Sequence, residues 1–108
     1  MRIDVLTLFP NMFEGPLNTS IIGRAKSNAI LEFKIWDIRD FARDKHRVVD
    51  DTPYGGGAGM VLKPDVVVAC IEAVKTVNSG PVIYLTPQGV PFSQGFAKNL
   101  ASYEQLIF

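Results

Sequence analysis

Cysteine is almost missing from this sequence, with Cys70 alone among 108 residues. Neither a disulfide framework nor a thiolate metal site can be built within one chain from it, and a reducing compartment is the simplest setting. Net charge is missing as well. Lysine plus arginine and aspartate plus glutamate each total 11, which excludes a protein that grips nucleic acid by overall charge and leaves any polyanion contact to a local patch. No apolar run approaches the roughly 18 residues of a membrane-spanning helix, and no basic leader precedes a small-residue cleavage site. Internal repeats and low-complexity stretches are absent too. These absences predict a soluble cytoplasmic protein with no membrane, no DNA and no metal among its partners.

What is present belongs to an ordinary globular domain, at 47% hydrophobic and 20% charged residues. One domain is expected, and a chain of this length buries roughly 60–70% of its unfolded surface, enough for one core. Ile3, Val5, Leu6, Leu8 and Phe9 form a short apolar run halted by Pro10, as in a buried parallel strand. Ile21, Ile22 and Ala25 fall at helical spacing between Ser20 and Asn28, with Ser20 as the expected N-cap. Leu31, Phe33, Ile35 and Ile38 alternate with polar residues and predict a second strand. From Asp40 to Lys63 the chain reads as one long loop carrying charges and the run Gly55, Gly56, Gly57, Ala58, Gly59. Loops of that length in compact domains are usually functional or disordered, which makes this one a leading place to look for a site.

Pro64 suits a first helical position and Asp65 a first turn. Val67, Cys70, Ile71 and Val74 then follow at i, i+3, i+4 and i+7, widened by Val66, Ala69, Ala73 and Val77, up to the stop at Asn78-Ser79-Gly80. Val82 to Leu85 predict another strand, ended by the turn Thr86-Pro87-Gln88-Gly89 with proline at i+1. Ser93 is placed to cap a helix carrying Phe92 or Phe96, with Ala97, Leu100 and Ala101, inward. Leu106, Ile107 and Phe108 open one more strand, and a chain stopping within so apolar an element is expected to be a fragment. Alternating strands and helices give an α/β fold with a mainly parallel sheet and flanking helices. Ligands bind beyond the carboxyl ends of such strands. The glycine loop and the turn Thr86 to Gly89 both qualify by position.

The glycine run can present backbone amides to a ligand, yet it lacks the Lys-Ser/Thr ending of a phosphate-binding loop. Lys45, His46 and Arg47, with Arg39 and Arg43, group donors that could meet phosphates. Asp37, Asp40, Asp44, Asp50 and Asp51 interleave with them, so a solvated, salt-bridged segment is an equally simple reading. His46 is the one histidine, and its basic neighbours fit a surface or RNA contact better than an acid or base. The consecutive Asp50 and Asp51 point apart and fit loop anchoring or substrate contact better than metal binding. Cys70 reads as a small buried hydrophobe. From these residues alone the reading is an α/β ligand-binding domain.

Three stretches carry a more specific likeness. They are Arg2-Ile3-Asp4-Val5-Leu6-Thr7-Leu8-Phe9-Pro10 with Phe13, then Asp50-Asp51 through Pro53-Tyr54-Gly55-Gly56-Gly57-Ala58-Gly59-Met60, and Tyr84-Leu85-Thr86-Pro87-Gln88-Gly89. Together they resemble the bacterial tRNA (guanine-N1)-methyltransferases of the SPOUT class along essentially the whole chain. The resemblance implies residues 1–108 as the N-terminal portion of a trefoil-knot methyltransferase domain that stops before the knot and the C-terminal domain. It implies S-adenosylmethionine as methyl donor, the guanosine 3′ of the anticodon in tRNA as acceptor, and a homodimer with the active site at the subunit interface.

In that likeness Tyr84, Leu85, Thr86, Pro87, Gln88 and Gly89 form one wall of the cofactor pocket. Tyr54, Gly55, Gly56, Gly57 and Gly59 form an active-site loop near the acceptor base. Lys45, His46, Arg47 and Asp50 become candidates for tRNA contact. The proton acceptor and the remaining cofactor loops are expected beyond Phe108, so no catalytic residue is assigned here and the fragment alone is expected to be inactive. Two other classes compete: a non-catalytic RNA-binding or assembly module, which should show a steep salt slope, and an unrelated α/β nucleotide-binding domain, which a nucleotide should stabilise.

Overall fold

A computed structural model describes residues 1–44, 46, 49–51 and 61–108. The expected α/β architecture is present. Strand β1 (Arg2–Thr7) lies centrally, pairs in parallel with β2 (Glu32–Asp37) on one side, and pairs in parallel with β5 (Gln105–Ile107) on the other. A short antiparallel pair, β3 (Asp50–Asp51) with β4 (Val61–Leu62), stands apart from that sheet. Helices α1 (Glu14–Leu17) and α2 (Ser20–Ser27) connect β1 to β2, while α3 (Pro64–Lys75) and α4 (Gln94–Ala101) precede β5.

Alternation divides β1 between two faces. Asp4 and Leu6 face α3, where Ile38, Val49, Val66 and Cys70 form the buried core with Leu6, Leu8 and Trp36 packed against it. Ile3 shares the opposite face with its register partner Leu106 and lines a groove with Ala97 and Leu100 of α4. The α3 pattern holds as read. Pro64 is its first residue, Asp65 lies in the first turn, and Val66, Cys70 and Val74 are buried one helical turn apart. Val77 is the exception, because the helix ends at Lys75 and leaves it exposed. Cys70 is fully buried, and burial first, then the charges of Asp37 and Asp40, push its thiol up to about 11. In the native protein a thiol-specific reagent at pH 8 is therefore expected to leave Cys70 unmodified, and denaturant should release one reactive thiol per chain.

Helix α2 departs from the expectation at its start. Ser20 is not the N-cap but the first helical residue, at φ 54°, and Thr19 occupies the cap position without a side-chain cap bond. The Thr19 hydroxyl donates backwards to Gly15 O at 3.2 Å instead, which joins α2 to α1. At the other end Ala29 N–H donates to Lys26 O and Ile30 N–H to Ala25 O, the paired bonds of a Schellman stop, with Ala29 at φ 58°. A side chain in that left-handed position costs about 1 kcal/mol relative to glycine. Ala29→Gly is expected to stabilise the fold by about 0.5–1 kcal/mol, read as a higher urea midpoint with unchanged slope.

Two further differences concern short elements. Residues Pro10–Phe13 and Ile38–Phe41 form 3-10 turns, so the charged stretch after β2 begins as structure, with the Asp37 side chain accepting from Arg39 N–H at 2.9 Å. The strand expected from Val82 to Leu85 shrinks to a single parallel bridge between Val82 and Ile107. Its backbone bonds run from Ile107 N–H to Pro81 O and from Ile83 N–H to Ile107 O. Beyond Ile107, Phe108 turns its N–H to Asp4 O and its carbonyl to Leu6 N–H. Both backbone groups of that residue pair with β1, as alternate residues of a parallel strand do.

Candidate functional site

The carboxyl ends of β1 and β5, the turn after β2 and the segment that follows Val82 converge on one crevice, as parallel sheets prescribe. There Leu6, Ile38, Val82, Ile83, Tyr84, Ile107 and Phe108, with Val67 and Ile71 of α3 and Leu62 of β4, line a half-open cavity of about 310 Å³. Its volume lies at the lower end of those that hold small ligands, and its walls are mostly apolar. Leu85 points elsewhere, into the groove of about 440 Å³ against α4 that also contains Phe92 and the far side of Phe108.

The turn itself forms as read. Gly89 N–H donates to Thr86 O at 3.1 Å and closes the i to i+3 ring, and Gln88 N–H leans on the Thr86 hydroxyl at 3.4 Å. Tyr84, Leu85, Pro87, Gln88 and Gly89 are exposed, Tyr84 at 77% and Leu85 at 75%, while Thr86 is half-buried. Among the described residues the backbone groups of Tyr84 and Leu85 pair with nothing else in the chain. Exposed apolar side chains next to a crevice are what a ligand-binding edge requires. On its far side Ser93 Oγ accepts from Phe96 N–H at 3.1 Å and caps α4 as expected.

The other candidates fall partly outside the described residues: Lys45, Arg47, Tyr54, Gly55, Gly56, Gly57 and Gly59 all lie there. His46 is exposed in a turn, its N–H donating to Asp44 Oδ2 at 3.2 Å. Asp50 pairs through its backbone with Leu62, and Lys63 N–H donates to Val49 O at 2.7 Å. Val49 is buried against α3 and Leu62 lines the cavity, so the chain leaves for the glycine run and returns from it at the crevice wall.

A buried polar network beneath the crevice had no counterpart in the sequence reading. Asp4 is fully buried on β1. Its carboxylate accepts from Arg2 Nε at 2.8 Å and from the second guanidinium nitrogen at 3.1 Å, from Trp36 Nε1 at 2.7 Å and from Asn78 Nδ2 at 2.7 Å. Burial pushes its pKa up, but the bonds from Arg2, Asn78 and Trp36, with the charge of Arg2, outweigh burial and hold it below the ordinary carboxylate value. Asn78, 1% exposed, also donates to Leu106 O at 3.0 Å and accepts from Gly80 N–H at 2.8 Å. A carboxylate set inside the apolar run Ile3-Asp4-Val5 was the available signal, since a charge there must find partners.

Among the described residues no helix is long and apolar enough to cross a membrane, and no group of histidine, cysteine, aspartate and glutamate could hold a metal ion.

Comparison with known proteins matches residues 1–108 to the family described as tRNA (guanine-1)-methyltransferase TrmD. The tRNA (guanine-N(1)-)-methyltransferase of Clostridium botulinum is 56% identical over 108 residues, covering 100% of this chain and 45% of its own length. That of Desulforamulus reducens is 53% identical over 110 residues, covering 99% of this chain and 43% of its own length. The solved structure of the tRNA (m1G37) methyltransferase from Aquifex aeolicus superposes with a TM-score of 0.89 at 30% identity, covering 99% of this chain and 49% of that one. The chain thus spans less than half the length of the curated relatives it matches.

Proposed function

The chain belongs to the tRNA (guanine-1)-methyltransferase family, and we propose that it supplies the N-terminal portion of an enzyme that methylates N1 of the guanosine 3′ of the anticodon in tRNA, with S-adenosylmethionine as donor. The observation that carries the proposal is the crevice at the carboxyl ends of the parallel strands, bordered by the exposed turn Tyr84 to Gly89. Its apolar walls suit a flat heteroaromatic ring, and the unpaired amides and carbonyls of Tyr84 and Leu85 suit the polar edge of such a ring. That fits the adenine end of the donor, which when bound supplies an activated methyl group. In this reading Tyr84, Leu85, Thr86, Pro87, Gln88 and Gly89 hold the donor. Tyr54, Gly55, Gly56, Gly57 and Gly59 approach the acceptor base, and Lys45, His46, Arg47 and Asp50 meet the tRNA.

Removing the N1 proton requires a base. None of the candidates in this chain is given that role, and residues 1–108 alone are inactive in this reading. The complete enzyme works in the cytoplasm as a homodimer whose active site lies at the subunit interface. The exposure of Met12 at 71%, Ile21 at 76% and Ile30 at 62% supports a partner surface.

Transfer of labelled methyl from S-adenosylmethionine to a tRNA transcript tests the proposal, with residues 1–108 compared against a polypeptide of the relatives' full length. The full-length protein is expected to label the transcript, residues 1–108 to label nothing, and a transcript with the target guanosine replaced to stay unlabelled. Absence of transfer by the full-length protein would overturn the reading and favour a non-catalytic RNA-binding module.

A further inference from the structure

We infer that Asn78 is a register pin for the turn Tyr84 to Gly89: its side-chain amide, seated on the Asp4 carboxylate, fixes which of residues 81–85 face the crevice. The inference rests on the reading of that turn as the donor's binding edge. It makes Asn78 a positioning residue, distant from the reacting atoms.

Register is weakly specified where burial does not set a segment's two faces apart, and Val82, Ile83 and Tyr84 all line the one crevice. Among the described residues the segment from Pro81 to Ile83 meets β5 through two backbone bonds, at Pro81 O and Ile83 N–H, both on Ile107. A slip of one residue would move the turn by about 3.3 Å along β5. Tyr84 would leave the crevice and Leu85 would leave the α4 groove.

Asn78 removes that freedom at the start of the segment. It uses both donors and its acceptor on three fixed points: Asp4 Oδ2, Leu106 O and Gly80 N–H. Two of those points lie on β1 and β5, and Asp4 is itself held by Arg2 and Trp36, so the reference frame is rigid. At 1% exposure, water cannot stand in for the amide. Outside the core, Ser79 N–H and Oγ both donate to Gln105 Oε1, at 2.8 and 3.0 Å, as a second, exposed tie. An error in register at Ile83 passes along the chain to the turn that follows it. Fixing register is also the best-attested use of a buried polar group.

The test uses the protein at the relatives' full length, with S-adenosylmethionine and an unmodified tRNA transcript as probes. For Asn78→Ala the expected result is an increase of about tenfold in KM for S-adenosylmethionine, with kcat and KM for tRNA within about twofold. Hydrogen exchange at the Ile83 and Ile107 amides should accelerate, while that at Ile35 in β2 should not. If Asn78→Ala fails to fold, Gln105→Ala, which removes only the exposed tie, should shift the same KM and the same two amides in the same direction by about twofold to threefold. Unchanged KM and unchanged Ile83 and Ile107 exchange would overturn the inference. Should the unsubstituted protein bind no S-adenosylmethionine while Asn78→Ala still releases those two amides, the methyltransferase reading fails and the register pin stands.

Discussion

Asp4→Ala is expected to destabilise the fold by about 3 kcal/mol, a large share of the total stability of a domain this size. The loss arises from the donors left behind. Asn78 Nδ2, fully buried, loses one of its two acceptors, and Trp36 Nε1, on a half-buried ring, loses its bond to the buried Asp4. Each unpartnered buried donor costs about 1–3 kcal/mol. Arg2 adds little, because its side chain is 26% exposed and can turn to solvent. Urea denaturation should show the lower midpoint, and Asp4→Asn, which keeps an acceptor oxygen, should lose less than Asp4→Ala. Equal stability of Asp4→Ala and the unsubstituted protein would mean that the network is energetically idle.

The same carboxylate gives stability a pH dependence of known sign. Its pKa in the fold is lowered, so the native state favours the ionised form more strongly than the unfolded chain does. The corresponding stability is fully present above the unfolded carboxylate value of about 4 and is lost as pH falls from there through the lower folded value. The unsubstituted protein should therefore lose stability in that acid window more steeply than Asp4→Ala.

The features legible in the sequence are those written in local patterns. Proline at the first position of α3, the Val66, Cys70 and Val74 spacing, the Ser93 cap and the Thr86 to Gly89 turn each depend on neighbours within about one or two turns of chain. Asp4 and Asn78 are 74 residues apart, and nothing near either one announces the other. The crevice has the same divided character: Tyr84 was legible as the residue leading into a turn, while Leu6, Ile38 and Phe108 join it only because parallel pairing carries three remote segments to one edge. Ser20 and the segment after Val82 were misjudged for a related reason. Hydroxyl preference at a helix start cannot reveal that the Thr19 hydroxyl is engaged with Gly15, and apolar composition cannot reveal that, among the described residues, the segment meets β5 in the single bridge at Val82.

Gly80→Ala tests the same junction by steric means and should cost about 3 kcal/mol or more, the upper range for forcing atoms into a filled site. A Cβ on Gly80 would sit 2.0 Å from the backbone oxygen of Gln105 and 3.0 Å from Asn78 Oδ1. The first neighbour is part of β5, whose next residues, Leu106 and Ile107, are buried, so it cannot swing aside as a flexible side chain would. Relief has to come from the segment itself, by lifting residues 79–81 off β5 and breaking the Gly80 N–H bond to Asn78. The two substitutions therefore act on one structural event, and Gly80→Ala combined with Asn78→Ala should cost distinctly less than the sum of the two alone. Gly95→Ala is the control, since the nearest atom to its Cβ is Ser93 Oγ at 3.9 Å and the position lies within α4, where alanine is favoured. A urea midpoint that falls for Gly80→Ala and holds or rises for Gly95→Ala would locate the close approach at β5. Equal midpoints for both would show that the segment sits further from Gln105 than the structure places it.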